Sequence, residues 1–136
     1  MKINCLLEDD LVLWWHPRKQ SWVTLKITIE VLSAYKSEYN FEAPDLKPID
    51  ITPEILEYNG FTKEEKIKGL VDWISEDGRV ILRNDPSFIN SENTWEIHVD
   101  SPDMCTIGVA ELSYLHQLQH IYKHYEIEKT FKMKMP

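Results

Sequence analysis

The spacing of apolar and polar positions changes several times along the chain, and each change marks an element. Residues 3–7 and 11–15 are short apolar runs separated by Glu8-Asp9-Asp10, which reads as two strands with an acidic turn between them. His16-Pro17-Arg18-Lys19-Gln20 breaks the pattern again. Residues 21–27 then alternate weakly through Trp22, Val23, Leu25 and Ile27. From Thr28 the period becomes helical, with Thr28 as the expected cap and Ile29, Val31, Leu32 and Tyr35 spaced for one buried face. Residues 40–51 contain Pro44 and Pro48 and are expected as an extended surface connection.

The strongest local signal is Thr52-Pro53-Glu54-Ile55-Leu56-Glu57-Tyr58-Asn59-Gly60. Threonine caps the helix, and proline takes a first position where its missing N–H costs nothing. Glu54 complements the dipole, and Gly60 supplies the left-handed residue that ends the helix. Phe61 is placed to fold back onto Ile55 or Leu56. Residues 69–75 and 79–83 flank the hairpin signal Glu76-Asp77-Gly78. Residues 85–93 read as a polar loop. In 94–100, Trp95, Ile97 and Val99 alternate with Glu96, His98 and Asp100, which predicts one buried and one wet face. Ser101-Pro102-Asp103 turns the chain into 104–112, and a helix follows over 113–125. The fold expected is α+β in a single domain over residues 1–136. An N-terminal β segment with a short helix (1–46) precedes a helix, an antiparallel meander and a C-terminal helix packed on it (47–136).

Composition narrows the classes. With 136 residues, 43% hydrophobic and 28% charged, the chain suits one folded domain. No apolar run exceeds residues 11–15, so no span of a bilayer is expected. The opening MKINCLLEDD has one lysine and turns acidic by position 8, so it is not read as a signal peptide, and the cytoplasm is expected. Cys5 and Cys105 lack a CxxC partner and are expected as small buried apolar groups. The net charge of −8, from 23 acids against 15 bases, disfavours nucleic acid as a partner. Lys129, Lys132 and Lys134 form a small basic patch, expected to solvate a fraying tail.

The helix at 113–125 carries the most suggestive chemistry. His116, His120 and His124 recur every four residues, and the first two have the spacing of the zinc-protease motif H-E-x-x-H. Position 117 is Gln, which cannot take a proton from a metal-bound water, so hydrolysis by that mechanism is not expected. A metal on His116 and His120 would need a third ligand from His124, His98, Cys105 or a carboxylate. Leu115, Leu118, Tyr122 and Tyr125 form the expected buried stripe, with the histidines flanking it. Gln117 and Gln119 are suited either to satisfying backbone groups or to reading a polar ligand.

Trp14 and Trp15 are strand neighbours, so only one of them belongs in the core. The other is expected either beneath the helix at 28–36 or exposed, forming with His16 and Arg18 a platform for a base or a protein. Trp73 and Trp95 are expected in the core. The acidic runs, including Glu64-Glu65, read as turns, and Asp100 and Asp103 do not have calcium-loop spacing. No P-loop, G-x-G-x-x-G or nucleophile elbow is present, so no cofactor is expected.

Two blocks carry a family resemblance. KPIDITPEILEYNGF (47–61), a following W-x-I strand and YLHQLQHIY (114–122) resemble a family of short proteins from Bacteroidetes phages and integrated mobile elements. The family's middle block is KPIPLTPEIL-x-x-x-GF, matched here with Asp50 in place of proline, and its end carries Y-V-H-E/Q-L-Q, matched by 114–119. Its members begin with a barrel-like segment whose first strand turns through L-x-x-G-D/N-x-V. Here that turn, Leu7-Glu8-Asp9-Asp10-Leu11-Val12, lacks the glycine. The resemblance implies origin and layout and brings no assigned activity. The expectation is a non-enzymatic accessory binding protein in the host bacterial cytoplasm, countering host defence by sequestering a nucleotide-type small molecule. The ligand contacts expected are Trp15, His16, Arg18, Tyr114, His116, Gln117 and His120. The alternatives are a protein-interaction or assembly module, with a host protein as partner, and a metal-dependent hydrolase.

Overall fold

A computed structural model describes residues 1–39, 42–84, 94–103 and 105–133, with the backbone alone at 36–39 and 66. The polar loop expected at 85–93, the start of the connection at 40–41, Met104 and Lys134 lie outside the described residues. Among those described, eight antiparallel strands form two sheets, accompanied by three helices, which is an α+β fold. None of these helices is long and apolar enough to cross a membrane. The chain divides into two compact units, 1–49 with 114–136, and 50–113. The C-terminal helix is therefore grouped with the N-terminal segment.

The first unit opens with a 3-10 turn at Ile3–Cys5 where a strand was expected. Ile3 and Leu6 are both buried, and Leu6 N–H donates to Ile3 O at 3.0 Å. Strand geometry would point residues three apart to opposite faces, whereas a 3-10 turn stacks them on one. β1 (Leu11–His16) pairs with β2 (Ser21–Lys26), from Leu11 opposite Lys26 to His16 opposite Ser21. β3 (Leu46–Lys47) adds to the other side of β1. α1 (Ile29–Tyr39) is capped by Thr28, whose Oγ1 accepts from Val31 N–H at 3.2 Å.

Val31, Leu32 and Tyr35 pack against the core of Ile3, Leu6, Val12, Ile27, Ala43 and Leu46. Ile29, expected on that buried face, is 61% exposed. It is the first residue of the helix, ahead of the turn that meets the core. α2 (Pro53–Tyr58) lies in the other unit, while the last helix, α3 (Leu115–His124), begins with Leu115 N–H donating to Ile49 O at 2.8 Å. The chain after α3 reverses at Glu126 (φ +55°), and Ile127 N–H donates to Tyr122 O at 2.9 Å. Ile127 and Phe131 are buried, and the Phe131 ring meets Tyr122 edge-on at 4.9 Å. Lys129 and Lys132 therefore sit on a packed tail rather than a fraying one.

In the second unit, Thr52 Oγ1 accepts from Ile55 N–H at 3.3 Å, and α2 closes as its sequence predicts. Gly60 (φ +85°) donates to Glu57 O, and buried Phe61 donates to Leu56 O at 2.9 Å, the paired bonds of a Schellman ending. The meander runs in chain order through β4 (Thr62–Ile67), β5 (Leu70–Ile74), β6 (Val80–Arg83), β7 (Trp95–Asp100) and β8 (Thr106–Leu112). β4 was not foreseen, and Glu64-Glu65, expected in a turn, lie within it. Both faces of this edge strand are exposed wherever its side chains are described, so it has no apolar alternation to read.

Trp73 and Trp95 are buried with Leu82, Ile97 and Val99, as expected. Asp100, expected on the wet face, is 9% exposed and accepts from Thr106 Oγ1 at 3.1 Å, at the point where the β7–β8 register shifts. The two cysteines, expected to be buried, are free and exposed.

Candidate functional site

The turn before β1 is held to α3 by two consecutive side chains of the helix. Gln119 accepts from Leu11 N–H and donates to Asp9 O, both at 2.9 Å. His120 Nε2 meets Asp10 Oδ2 at 2.7 Å, and Asp10 is fully buried. The same carboxylate oxygen accepts from Leu7 N–H at 2.8 Å. Asp9 takes φ +74°, a left-handed conformation that glycine adopts most easily and that aspartate tolerates better than most residues. The turn thus reaches, without glycine, the kind of backbone conformation that glycine usually provides. Gln117 caps its own helix, accepting from Tyr114 N–H at 3.0 Å. Both glutamines therefore satisfy backbone groups.

His116 belongs to the buried face of α3 instead of flanking it. It is 4% exposed, alongside Leu115, Leu118, Gln119 and Tyr122, while Tyr125 is half-buried. Its ring lies parallel to Tyr114 at 5.8 Å and edge-on to His120 at 5.6 Å. Burial pushes the His116 pKa below the ordinary value of 6.5, against the pull of Asp10, and His120 lowers it further. His116 Nδ1 and Asp10 Oδ1 are buried without a hydrogen-bond partner. Asp10 fixes the orientation of His120 through its Oδ2 contact. Among the described residues, no group of three or more His, Cys, Asp or Glu side chains is placed to hold a metal ion.

Trp15, His16 and Arg18 sit at the other end of β1. Trp15 lies five positions beyond Asp10 along extended strand, roughly 17 Å. Trp14 is the inward tryptophan, packed on the core with Nε1 donating to Asp45 Oδ2 at 3.2 Å; Tyr35 of α1 donates to the same oxygen at 3.0 Å. Trp15 is 39% exposed and meets Trp22 edge-on at 5.6 Å, and Lys47 Nζ lies 4.2 Å from the Trp22 ring centre. His16 accepts from Lys19 N–H at 3.2 Å, and Arg18 is exposed. The seven expected contacts thus fall into two groups. Tyr114, His116 and His120 stand together, with Gln117 spent on the helix start, while Trp15, His16 and Arg18 gather at the hairpin tip.

A third place was not foreseen. A cleft of about 160 Å³ opens between the base of the β1–β2 hairpin, α3 and the C-terminal tail. Its apolar wall is Leu11, Tyr122, Ile127 and Phe131, all buried, and its charged lining is Lys26, Lys123, Lys129 and Asp9. Each ammonium group has a nearby contact. Lys26 lies 3.5 Å from Asp9 Oδ1, Lys123 donates to Glu8 O, and Lys129 lies 5.7 Å from the Phe131 ring centre. The signal in the sequence was the apolar pair Ile127 and Phe131, which makes the tail pack and brings Lys129 onto the wall. Comparison with protein-family models, with curated proteins and with solved structures found no match.

Proposed function

We propose that this chain is a non-enzymatic binding protein that takes up a small molecule in the cleft beside α3. The observation that carries this reading is the cleft itself, whose apolar wall and charged lining residues match the usual composition of a ligand site. The histidine helix supports it indirectly, because Gln117, Gln119 and His120 are each engaged in holding the fold. The resemblance of the 47–61 and 114–122 blocks to phage and mobile-element proteins supplies the setting. There, in the host bacterial cytoplasm, a small accessory protein would withdraw a ligand from host defence.

The test is the melting temperature of the full chain with fractions of a host metabolite extract. A ligand at a hundred times its Kd stabilises the folded chain by about 2.7 kcal/mol, a shift of several degrees at this size. No stabilisation by any fraction would refute the reading. A second reading, docking of a host protein at the hairpin tip, is favoured by the exposure of Trp15 beside Trp22 and Lys47. A host protein retained by the native chain and lost with Trp15→Ala would support it.

A further inference from the structure

We infer that the ligand of this cleft is a small organic phosphate, its phosphate among Lys26, Lys123 and Lys129 and its apolar part against Phe131 and Ile127. This rests on the binding reading above and adds the chemical class. The chain carries 23 acids against 15 bases, yet the residues lining the cleft reverse that balance, with three lysines and one aspartate. Two positive charges remain after Asp9 is counted, and a dianion neutralises them. A phosphate monoester carries about −2 at neutral pH, whereas a single carboxylate carries half as much. Lysine suits this task, because it acts on phosphate as a point charge and needs no fixed fork geometry.

The present contacts of the lysines are of a kind that a ligand displaces cheaply. The Lys26–Asp9 pair is more than half exposed on both sides, and such pairs contribute little to stability. Lys123 is exposed and meets a backbone carbonyl, an acceptor that water can serve equally well. Releasing these groups to a phosphate therefore does not disturb the fold.

The wall residues Leu11, Tyr122, Ile127 and Phe131 are each at least nine-tenths buried, so the cleft has a packed floor of apolar side chains. Gln119 lines the cleft, but both ends of its amide are engaged with Asp9 and Leu11. Recognition then falls to charge on one side and to apolar contact on the other. A volume of about 160 Å³ is near that of cavities that accept one benzene ring, and below the range for drug-sized ligands. It admits a phosphate with one ring or a short carbon chain and leaves any larger remainder in solvent.

Calorimetric titration of the full chain with phenyl phosphate, adenosine 5′-monophosphate, inorganic phosphate and benzoate tests this directly. Phenyl phosphate is expected to bind more tightly than either inorganic phosphate or benzoate. Lys123→Ala and Lys129→Ala are each expected to weaken it about tenfold, the loss of one charge-assisted contact. Phe131→Leu should weaken phenyl phosphate while leaving inorganic phosphate unchanged. Melting curves of each variant establish that it is folded. The inference is overturned if neither organic phosphate binds, or if binding is unchanged in the Lys123→Ala, Lys129→Ala double variant. Stabilisation by host extract without phosphate binding would remove this inference and leave the binding function standing. No stabilisation by the extract together with no phosphate binding would remove both.

Discussion

Asp10 lies in the turn before β1, where His120 of α3 reaches it. It is fully buried, and of its two carboxylate oxygens only Oδ2 is hydrogen-bonded, to His120 and to Leu7 N–H. His120→Ala would remove the side-chain hydrogen bond to this buried carboxylate, and leaving a buried polar group unsatisfied costs about 1–3 kcal/mol. Urea unfolding of His120→Ala should therefore show a markedly lower midpoint, while His124→Ala, at an exposed position, should leave it within experimental error. His116 makes a separate prediction about pH. Its folded pKa lies below the unfolded value near 6.5, mainly through burial, so the unfolded chain binds the proton more readily. The contribution of neutral His116 is complete above pH 6.5 and is lost as the pH falls from there toward the folded pKa. Unfolding midpoints measured at pH 7.5 and pH 5.5 should differ less in His116→Leu than in the native chain. An equal difference in both would show that His116 does not supply it.

At the scale of elements, legibility follows how much each element depends on its own residues. α2 was readable to its ends because its cap, its first proline and its closing glycine all lie within nine residues. That closure is itself testable. Gly60 holds φ +85°, and an added Cβ would lie 2.2 Å from Glu76 Oε1. Gly60→Ala is expected to destabilise by about 1–2 kcal/mol from the left-handed backbone alone, read as a lower melting temperature. The alternation of β7 was equally clear, since one face of the sheet is buried.

β4 was not legible, because an edge strand exposed on both faces leaves no apolar period in its sequence. The 3-10 turn at Ile3–Cys5 was misread for the opposite reason. A short apolar run fits several geometries, and only the packing of Ile3 and Leu6 into one core selects among them. The candidate site was the least legible part. Residue types at helical spacing drew attention to the histidines, whereas the cleft is assembled from β1, β2, α3 and the tail, far apart in the chain. Nothing local in Lys26 or Lys123 marks them as neighbours.

At the scale of the molecule, the two compact units differ in how the chain builds them. Residues 50–113 form a meander with sequential strands, closed by Ile51 N–H donating to Ser113 O at 3.0 Å. The other unit joins residues 1–49 to 114–136, so α3 and the tail complete what the N-terminal strands begin. Candidate chemistry collects in that unit, where the hairpin tip, the Asp10–His120 pair and the lysine-rimmed cleft all lie. On the proposed function, this unit holds a small molecule in the cleft. Native mass spectrometry of the full chain and of Lys123→Glu, each after incubation with host metabolite extract, tests it most directly. A discrete small-molecule adduct is expected on the native chain and is expected to be lost in the folded variant. An adduct on neither would contradict the binding function, and an equal adduct on both would contradict its placement in the cleft.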